Sequence, residues 1–211
     1  MTQQHQLSFD GAVSDPQGDY GDLPIKIIRH YLNTEQQQVL TAQINSFGHL
    51  FSRPSIKVFN QYHQIPRSQA WFGERGCDYM FSSLLIRAQP MPSYVVKLRD
   101  KLDRDFGVKY NGVLVNRYAD GNQNVGWHSD NEAEIIKESP IASISLGASR
   151  DFLIRHNQTK KITKIELFSG DLLLMYSPMQ QHWQHSLPKR AKVTTPRINL
   201  TFRQLIEHFH Q

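Results

Sequence analysis

The segment Arg197–Arg203, RINLTFR, alternates strictly between polar and apolar side chains near the C-terminus. Successive side chains of a β-strand point to opposite sides of the sheet, so the segment predicts a strand with two different faces. The apolar face consists of Ile198, Leu200 and Phe202. The other face carries an arginine at each end with Asn199 and Thr201 between them. A strand with one solvent-exposed face is the simplest interpretation of this pattern, and a strand that lines a polar site is the alternative.

Short segments of this kind dominate the chain. Those predicted as strands are IKVFNQY (56–62), MFSSLLI (80–86), VLVNRY (113–118), IASISLG (141–147), DFLIR (151–155), ITKIELF (162–168), DLLLMY (171–176) and HWQHS (182–186). Breaks of Gly, Pro, Asn or Ser separate them at the spacing typical of a β-sandwich or barrel. Two helices are predicted before them, at 34–47 with a capping box of Thr34 and Gln37, and at 93–106 with Ser93 as its cap and Gly107 as its stop.

The composition is that of one soluble domain with a basic body. The chain has 211 residues, 39% of them hydrophobic, and a net charge of +5. Residues 1–23 contain four aspartates and no lysine or arginine, which indicates a mobile tail before a single, more basic domain at 24–211. A basic body suits a polyanionic partner such as nucleic acid, and ordinary solubilising charge is the alternative.

The compartment expected from the sequence is the cytoplasm, or the nucleus of a eukaryotic cell. The chain has one cysteine, Cys77, which excludes an intrachain disulfide and fits a reducing environment. The N-terminus lacks the basic start and apolar stretch of a secretory signal. No apolar run approaches the ~20 residues needed to span a bilayer, so no membrane association is expected.

Two candidate metal ligands lie in the segment GWHSDNE (126–132). If the segment is a strand, His128 and Asp130 point to the same side and converge on one point. A 2-His-1-carboxylate site for Fe(II) needs two of its three ligands in such an arrangement. The remaining histidine must come from a distant strand, where HWQHS offers His182 and His185 on opposite faces, so that only one of them joins the site. Surface histidines and a surface carboxylate are the alternative.

Arg197 and Arg203 are spaced to hold a dicarboxylate between them. Six residues of strand separate their Cα atoms by roughly 20 Å, and side chains that each reach ~6 Å inward leave a gap of about the length of a five-carbon dicarboxylate. Arginine binds carboxylates through paired charge-assisted hydrogen bonds. Asn116 and Tyr118 share one face of VLVNRY and are candidate donors to the same carboxylates.

Taken together, these segments resemble the AlkB family, iron(II)- and 2-oxoglutarate-dependent dioxygenases that remove alkyl groups from nucleic-acid bases. The resemblance covers about residues 50–205 and joins NRY (116–118), HSD (128–130), HWQHSLP (182–188) and RINLTFR. VFNQYHQIPRSQAWFG (58–73), YMFSS (79–83) and PIASISLGASRDFLIRH (140–156) are most similar to the branch that acts on double-stranded DNA.

The resemblance implies an α+β, β-rich fold. Its core is a double-stranded β-helix, or jelly-roll, at about 110–205, preceded by N-terminal helices and by a β-hairpin nucleotide-recognition lid at about 50–90. The implied iron ligands are His128, Asp130 and His185. The implied 2-oxoglutarate residues are Asn116, Tyr118, Arg197, Asn199, Thr201 and Arg203.

The resemblance also implies a set of substrate-binding residues. They are Phe59, Asn60, Arg67, Tyr79, Phe81, Asn131 and Glu132, with Phe59 filling the hole left by an extruded base. Asn60 stands where the family pattern has a glycine, and Asn131 stands where it has an acid, which affects strand and base preference. For the aromatic residues a buried core position is the alternative to a contact with substrate.

The implied activity is oxidative demethylation of 1-methyladenine and 3-methylcytosine in DNA. Such a reaction uses Fe(II), 2-oxoglutarate and O2 and releases formaldehyde, succinate and CO2. We expect a monomer whose partner is nucleic acid, with double- or single-stranded DNA as the substrate. The alternatives are the same chemistry on RNA, on a protein or on a small molecule, and a nucleic-acid-binding module without turnover.

Overall fold

Fourteen strands and three α-helices follow one another in residues 20–58 and 60–211, the part of the chain that the computed structural model describes. In chain order they are β1 (Ile25–Ile28), α1 (Thr34–Ser46), β2 (Ser55–Val58), β3 (Gln61–Gln64), β4 (Ser68–Gly73), β5 (Tyr79–Phe81), β6 (Leu84–Ile86), α2 (Ser93–Phe106), β7 (Gly112–Tyr118), β8 (Val125–His128), β9 (Ile141–Gly147), β10 (Arg150–His156), β11 (Ile162–Leu167), β12 (Leu172–Met175), α3 (Met179–His182), β13 (Trp183–Leu187) and β14 (Arg197–Arg203). None of the helices in this part of the chain is long and apolar enough to cross a bilayer. Residues 1–19 of the predicted tail, and Phe59, lie outside the described residues.

Two antiparallel sheets form the β-rich core. The major sheet has the strand order β1-β12-β9-β14-β7-β4, and the minor sheet has the order β11-β10-β13-β8. This arrangement confirms the predicted jelly-roll. The observed jelly-roll includes more of the chain than the predicted residues 110–205. Strands β1 and β4 lie before this range and form the two edges of the major sheet. Strand β4 therefore belongs to the core although it lies within the segment predicted as the lid.

Helices α1 and α2 pack on one face of the major sheet. Leu40 and Leu98 lie in one apolar cluster with Leu200 and Phe202 of β14. A second cluster, which includes Ile154 and Leu173, brings residues of the two sheets together. Burial of these side chains is the main driving force for the layered arrangement.

Strand β14 is buried along its whole length. Ile198, Leu200 and Phe202 point toward the helices, whereas Arg197 and Arg203 line a cavity on the opposite face. The interpretation of a half-exposed strand is therefore wrong, and the alternative of a strand that lines a polar site is confirmed. Helices α1 and α2 cover one face of β14 and the other face lines the cavity, so neither face meets bulk solvent.

The two segments predicted as single lid strands are hairpins. In 56–62 the chain reverses after β2 and pairs antiparallel with β3, with Asn60 at φ 64°. In 80–86 it reverses between β5 and β6 at Ser82 and Ser83, whose φ angles are 46° and 67°. Positive φ is the requirement of the tightest hairpin turns, and glycine or asparagine usually meets it. A pair of serines gives no such signal in the sequence.

The predicted helix positions are confirmed, but their N-terminal caps are not. The capping box of α1 is formed by Asn33 and Gln36, one residue earlier than predicted, with the two reciprocal hydrogen bonds at 2.9 and 3.0 Å. Helix α2 begins after Pro92 without a side-chain cap and ends at Gly107, at φ 68°, as predicted. Asparagine accepts a cap hydrogen bond at least as well as threonine, so the sequence offered two overlapping boxes.

Three strands were not predicted, and one predicted strand is displaced by one residue toward the C-terminus. Strands β1, β4 and β8 have no clear alternation, and tertiary pairing within the sheets stabilises them. HWQHS begins in the short helix α3 and becomes strand β13 only at Trp183. His182 is therefore an exposed helical residue, and the reason given for separating it from His185, opposite faces of one strand, is wrong.

Candidate metal centre and active site

His128, Asp130 and His185 converge on one point, as predicted. Each offers one ligand atom, and the three atoms lie within 4.8 Å of one another. Nε2 of His128 is 3.8 Å from Oδ1 of Asp130, and the two imidazole rings are 4.2 Å apart. Two imidazoles and one carboxylate in this arrangement fit the facial triad that binds Fe(II) and leaves further coordination positions open.

The convergence does not arise from a continuous strand, so that part of the prediction is wrong. Strand β8 ends at His128, which is paired with His185 of β13, and Asp130 lies beyond the strand. The register of β8 and β13 shifts just beyond that pair, between His185 and Leu187. The strand pairing thus fixes the two histidines relative to each other, whereas other contacts must fix the aspartate.

Three hydrogen bonds hold the segment that carries Asp130. The backbone N–H of Asp130 donates to Oε1 of Gln180 at 2.9 Å, and Ser129 Oγ donates to the carbonyl of Trp183 at 2.9 Å. On the carboxylate itself, Oδ2 accepts from Nη2 of Arg203 at 2.9 Å. These bonds tie the aspartate to α3, β13 and β14, the elements around the histidine pair.

Different contacts keep a ring nitrogen of His128 and of His185 free to bind a metal. Nδ1 of His128 lies 2.8 Å from the carbonyl oxygen of Gly126; a proton donated there leaves the lone pair of Nε2 free. His185 is buried, and its ring stacks on Phe152 at 5.1 Å. Burial, together with His128 and Arg203, lowers the pKa of His185 to about 3, so its imidazole is neutral at neutral pH. Nδ1 of His185 has no hydrogen-bond partner within the described part of the chain.

The metal-free protein is expected to lose stability as the pH falls below about 6.5, where His185 of the unfolded chain begins to bind a proton. The folded protein takes up that proton only near its lowered pKa of about 3. Stability from the neutral imidazole is therefore complete above the unfolded pKa and decreases between the two values. Thermal unfolding of the metal-free protein between about pH 5 and pH 7.5 measures the effect.

His185→Gln should flatten this dependence, because it removes the group that titrates. His182→Gln is the matched control, since His182 is exposed and three positions away. An unchanged pH dependence in His185→Gln would contradict the assignment.

Asp130 is ionised in this environment. Its burial disfavours the charged carboxylate, but the Arg203 guanidinium and the two imidazoles outweigh burial and hold the pKa of Asp130 well below its usual range. For Arg203 the balance is similar, since burial opposes its charge while Asp130, Tyr79 and Glu132 raise its pKa. The pair is therefore an ion pair before any metal binds.

Arg197 lies on the wall of the same cavity with its charge uncompensated. Its Nη2 donates to Oγ of Ser145 at 2.9 Å, and its guanidinium lies 5.6 Å from the ring centre of Tyr118. Burial lowers the pKa of Arg197 to about 10, which leaves it charged at neutral pH. No carboxylate among residues 20–58 and 60–211 pairs with it, and its Nε has no hydrogen-bond partner there. A buried cation of this kind is a binding site for an anion.

The remaining residues implied for 2-oxoglutarate also line this cavity. Strand pairing places Asn199 opposite Asn116. Asn199 donates to Ser143 Oγ at 2.8 Å and accepts from Thr201 at 3.0 Å, so these two side chains are already bound within the fold. In Arg203, Nε and Nη1 of the guanidinium have no hydrogen-bond partner in the described residues. The free donors are thus at the arginines rather than at Asn199 and Thr201.

Four of the implied substrate residues lie at the same cavity. Tyr79 stacks on Trp71 at 4.6 Å, and its hydroxyl donates to Oε1 of Glu132 at 2.5 Å. The Arg67 guanidinium lies 5.8 Å from the ring centre of Phe81, and its Nε donates to Oδ1 of Asn116 at 2.7 Å. The cavity wall therefore combines aromatic faces with a carboxylate beside the metal ligands.

Asn131 and Asn60 do not line this cavity. Asn131 is exposed and lines a neighbouring cavity with Lys137 and Gln181. Asn60 is at the exposed turn of the β2–β3 hairpin, next to Phe59, which is outside the described residues. The neighbouring cavity is also lined by Asp130 and Glu132, and the roles of Asn131, Asn60 and Phe59 in substrate binding stay predictions.

Sequence reasoning missed Ser145, Phe152, Trp71 and Gln180. Ser145 had a signal, because IASISLG places serines at alternate positions of an otherwise apolar strand, a pattern that indicates a polar face toward a site. Phe152 and Trp71 are ordinary strand aromatics in the sequence. Gln180 lies in a short helix with no periodic pattern, so nothing in the sequence connects it to Asp130.

Comparisons with known proteins agree with this geometry. Residues 24–203 match the family model of the 2OG-Fe(II) oxygenase superfamily. The chain is 42% identical over 159 residues to the Mus musculus protein named DNA oxidative demethylase ALKBH2, covering 72% of this chain and 66% of that protein. For the Bos taurus protein of the same name the identity is 39% over 177 residues, covering 80% of this chain and 63% of the relative. The chain therefore spans just under two thirds of the length of these relatives.

The solved structure of OsALKBH1 is similar in fold. Its TM-score is 0.67 at 19% sequence identity, and the match covers 88% of this chain and 100% of that one. At such low identity the likeness concerns the arrangement of the strands and helices. It supports the two-sheet jelly-roll described above.

Proposed function

The chain belongs to the 2OG-Fe(II) oxygenase superfamily, and we propose that it oxidatively removes methyl groups from 1-methyladenine and 3-methylcytosine in DNA. The observation that carries this proposal is a single cavity that joins three elements. It is lined by the two-histidine, one-carboxylate cluster, by the uncompensated Arg197, and by the aromatic pair of Tyr79 and Phe81 beside Glu132. The relatives named DNA oxidative demethylases support DNA as the substrate.

His128, Asp130 and His185 would hold Fe(II). When bound, the iron supplies oxidation of the N-methyl carbon by O2, coupled to decarboxylation of 2-oxoglutarate to succinate. The neutral imidazole of His185 and the ionised carboxylate of Asp130 are the protonation states that ligation requires. Arg203 keeps the carboxylate in place through its hydrogen bond to Oδ2.

Arg197 would bind the distal carboxylate of 2-oxoglutarate. Its Nε is available, and Tyr118 lies opposite it on the neighbouring strand β7. Arg203 lines the same cavity from the other end of β14, and its Nη1 and Nε have no hydrogen-bond partner in the described residues. The two arginines therefore place unpaired hydrogen-bond donors of the described residues at both ends of strand β14.

Glu132 and Tyr79 would bind the methylated base. Both lesions are cationic, and a buried carboxylate attracts a cation more strongly than one in water. Burial raises the pKa of Glu132, and its Oε2 lacks a partner in the described residues, so an incoming cationic base satisfies that oxygen and favours the ionised form. Tyr79 offers a flat aromatic face, held in position by its stack on Trp71.

A base in a duplex must leave the helix to reach this cavity, which costs a few kcal/mol and less for a lesion that cannot pair. The exposed β2–β3 hairpin is the candidate element for filling the gap that remains. Basic residues of the chain, such as Lys189 and Lys192, would contribute a salt-dependent attraction to phosphates. We propose that the protein acts as a monomer on single- and double-stranded DNA.

The proposed activity predicts that purified protein with Fe(II) and 2-oxoglutarate converts 1-methyladenine in oligonucleotides to adenine and releases formaldehyde. Mass spectrometry of the digested oligonucleotide measures the repair, in single-stranded DNA, double-stranded DNA and RNA of one sequence. Chelation of the metal is the control and should stop the reaction.

Three outcomes would contradict the proposal. Consumption of 2-oxoglutarate and oxygen without repair of any oligonucleotide would indicate an oxygenase for a protein or a small molecule. Tight DNA binding that is the same with and without iron, and with no turnover, would indicate a binding module. Faster repair of RNA than of DNA would indicate that RNA is the substrate.

A further inference from the structure

We propose that Glu134 is a positioning residue for the base-binding strand β5, acting through the backbone of Met80. This inference rests on the proposed function, since it concerns the orientation of Tyr79 toward the base. Glu134 is 1% exposed, and its Oε1 accepts a hydrogen bond from the backbone N–H of Met80 at 2.6 Å. Met80 is the residue after Tyr79, so the carboxylate holds the strand directly beside the aromatic ring.

Strand β5 needs such an attachment because it belongs to neither of the two large sheets. It has three residues and pairs only with β6, as a separate two-stranded sheet. A two-stranded hairpin alone is marginally stable in water. Side-chain contacts fix β5 to the body. They include the stack of Tyr79 on Trp71, the cation–π contacts of Arg203 with Tyr79 and of Arg67 with Phe81, the Tyr79 hydroxyl bond to Glu132, and the bond from the Met80 backbone to Glu134.

Glu134 is itself anchored to the strand that carries Arg203. The backbone N–H of Ile206 donates to the carbonyl of Glu134 at 2.8 Å, and that of Ile136 donates to the carbonyl of Gln204 at 2.9 Å. The segment around Glu134 thus pairs with the continuation of β14. The same segment starts at the metal ligand Asp130, four residues before Glu134. One short piece of chain therefore connects the metal centre to the lid strand β5.

The C-terminal turn covers the buried carboxylate. Nε2 of His210 lies 3.4 Å from Oε1 of Glu134, and the His210 side chain is 13% exposed. A hydrogen bond to an ionised acceptor is about twice as strong as one between neutral groups, and it strengthens in a site that excludes water. The arrangement makes Glu134 a fixed point for β5 rather than a surface charge.

Removal of this carboxylate should loosen β5 without changing the metal or 2-oxoglutarate sites. The partly buried N–H of Met80 then has no protein acceptor, and Tyr79 keeps only the contacts of its ring and hydroxyl. A mobile Tyr79 stacks less well on a base. Arg197 and the metal ligands lie on the two large sheets or are tied to them, so their geometry does not depend on Met80.

The test compares Glu134→Ala, Glu134→Gln and the control Glu138→Ala, which removes an exposed carboxylate a few residues along the same segment. We expect Glu134→Ala to raise KM for a 1-methyladenine oligonucleotide by roughly tenfold, in keeping with the loss of one charge-assisted hydrogen bond. KM for 2-oxoglutarate and the rate of succinate formation without DNA should stay within about twofold. Glu134→Gln keeps an oxygen acceptor of the same length and should recover most of the affinity.

Hydrogen exchange of peptides covering residues 79–86 is the second readout, and it requires no activity. Exchange should be faster in Glu134→Ala than in the wild type and close to wild type in Glu134→Gln, while peptides of β14 keep their protection. Should Glu134→Ala fail to fold, Glu134→Asp, which retains the charge but shortens the side chain, takes its place and should show faster exchange at 79–86.

The proposal is overturned if exchange at 79–86 is unchanged, or if KM for 2-oxoglutarate rises as much as KM for the oligonucleotide. The second result would mean general damage rather than positioning. Failure of the proposed function is distinguishable, because in that case no oligonucleotide is repaired by the wild type, while the exchange experiment still decides the role of Glu134.

Discussion

Asp130→Ala is expected to abolish 2-oxoglutarate turnover and, in the metal-free protein, to lower the free energy of unfolding by about 3–5 kcal/mol. The first effect follows from the loss of the only carboxylate in the candidate triad. The second follows from Arg203, whose side chain is 2% exposed and pairs with Oδ2 of Asp130. Without Asp130 that guanidinium stays buried with an uncompensated charge. Oxygen consumption and equilibrium denaturation of the metal-free protein measure the two effects.

The double variant Asp130→Ala with Arg203→Met separates the two roles of the aspartate. Removing the arginine removes the stranded charge, so stability should largely return while metal binding does not. Asp151→Ala is the control for a half-exposed pair, because the side chains of Arg190 and Asp151 are 40% and 19% exposed, and it should cost about 1 kcal/mol or less. If the single variant is as stable as the wild type without metal, the ion pair with Arg203 does not contribute as described.

Arg203 connects the metal side of the cavity with the side proposed to bind the base. Arg203 binds the metal ligand Asp130, and its guanidinium also lies 5.1 Å from the ring centre of Tyr79. A cation over an aromatic face is attracted to its negative π-system. One buried arginine therefore contacts both the metal ligand and the aromatic wall proposed for the base.

The sequence predicts the ligands of the site better than the elements that carry them. The alternation of β14 is unambiguous because a two-residue period admits only a strand, and it correctly places Arg197 and Arg203 on one face. The expectation that only one of His182 and His185 joins the site is correct for a wrong reason, since His182 is not in a strand, and the choice of His185 came from the resemblance to the AlkB family. The residue types therefore identified the ligands of the site, whereas the local sequence did not predict the backbone conformation around them.

What the sequence does not show depends on contacts between distant segments. Asp130 lies outside β8, and its position is set by Gln180 and Arg203, some 50 and 73 positions along the chain. Glu134 meets Met80 only because both segments fold against the end of β14. Such contacts follow from tertiary packing, which overrides local propensity and leaves no periodic signal.

Arg197→Ala is expected to raise KM for 2-oxoglutarate on the order of a hundredfold, since truncating one partner of a buried charge pair costs about 2–5 kcal/mol. Arg197 is 3% exposed, and no described carboxylate neutralises it, so the anion that it binds must come from outside the fold. The KM of Arg197→Lys for 2-oxoglutarate should lie between those of the wild type and Arg197→Ala, because lysine keeps the charge but loses the planar fork that matches a carboxylate. Succinate formation at varied 2-oxoglutarate measures the change, with Arg190→Ala as the control at a half-exposed arginine.

Arg197→Ala should also change the choice of co-substrate, which no general loss of stability does. The wild type should strongly prefer 2-oxoglutarate to 2-oxopentanoate, which has the same five carbons but no distal carboxylate, because Arg197 stays unpaired with the second compound. Without the guanidinium the two keto acids differ little in what the cavity offers them, so the preference should nearly vanish. A variant that binds both acids more weakly but keeps the wild-type preference would show that another residue holds the distal carboxylate. Tyr118, opposite Arg197 on β7, is then the group to replace next.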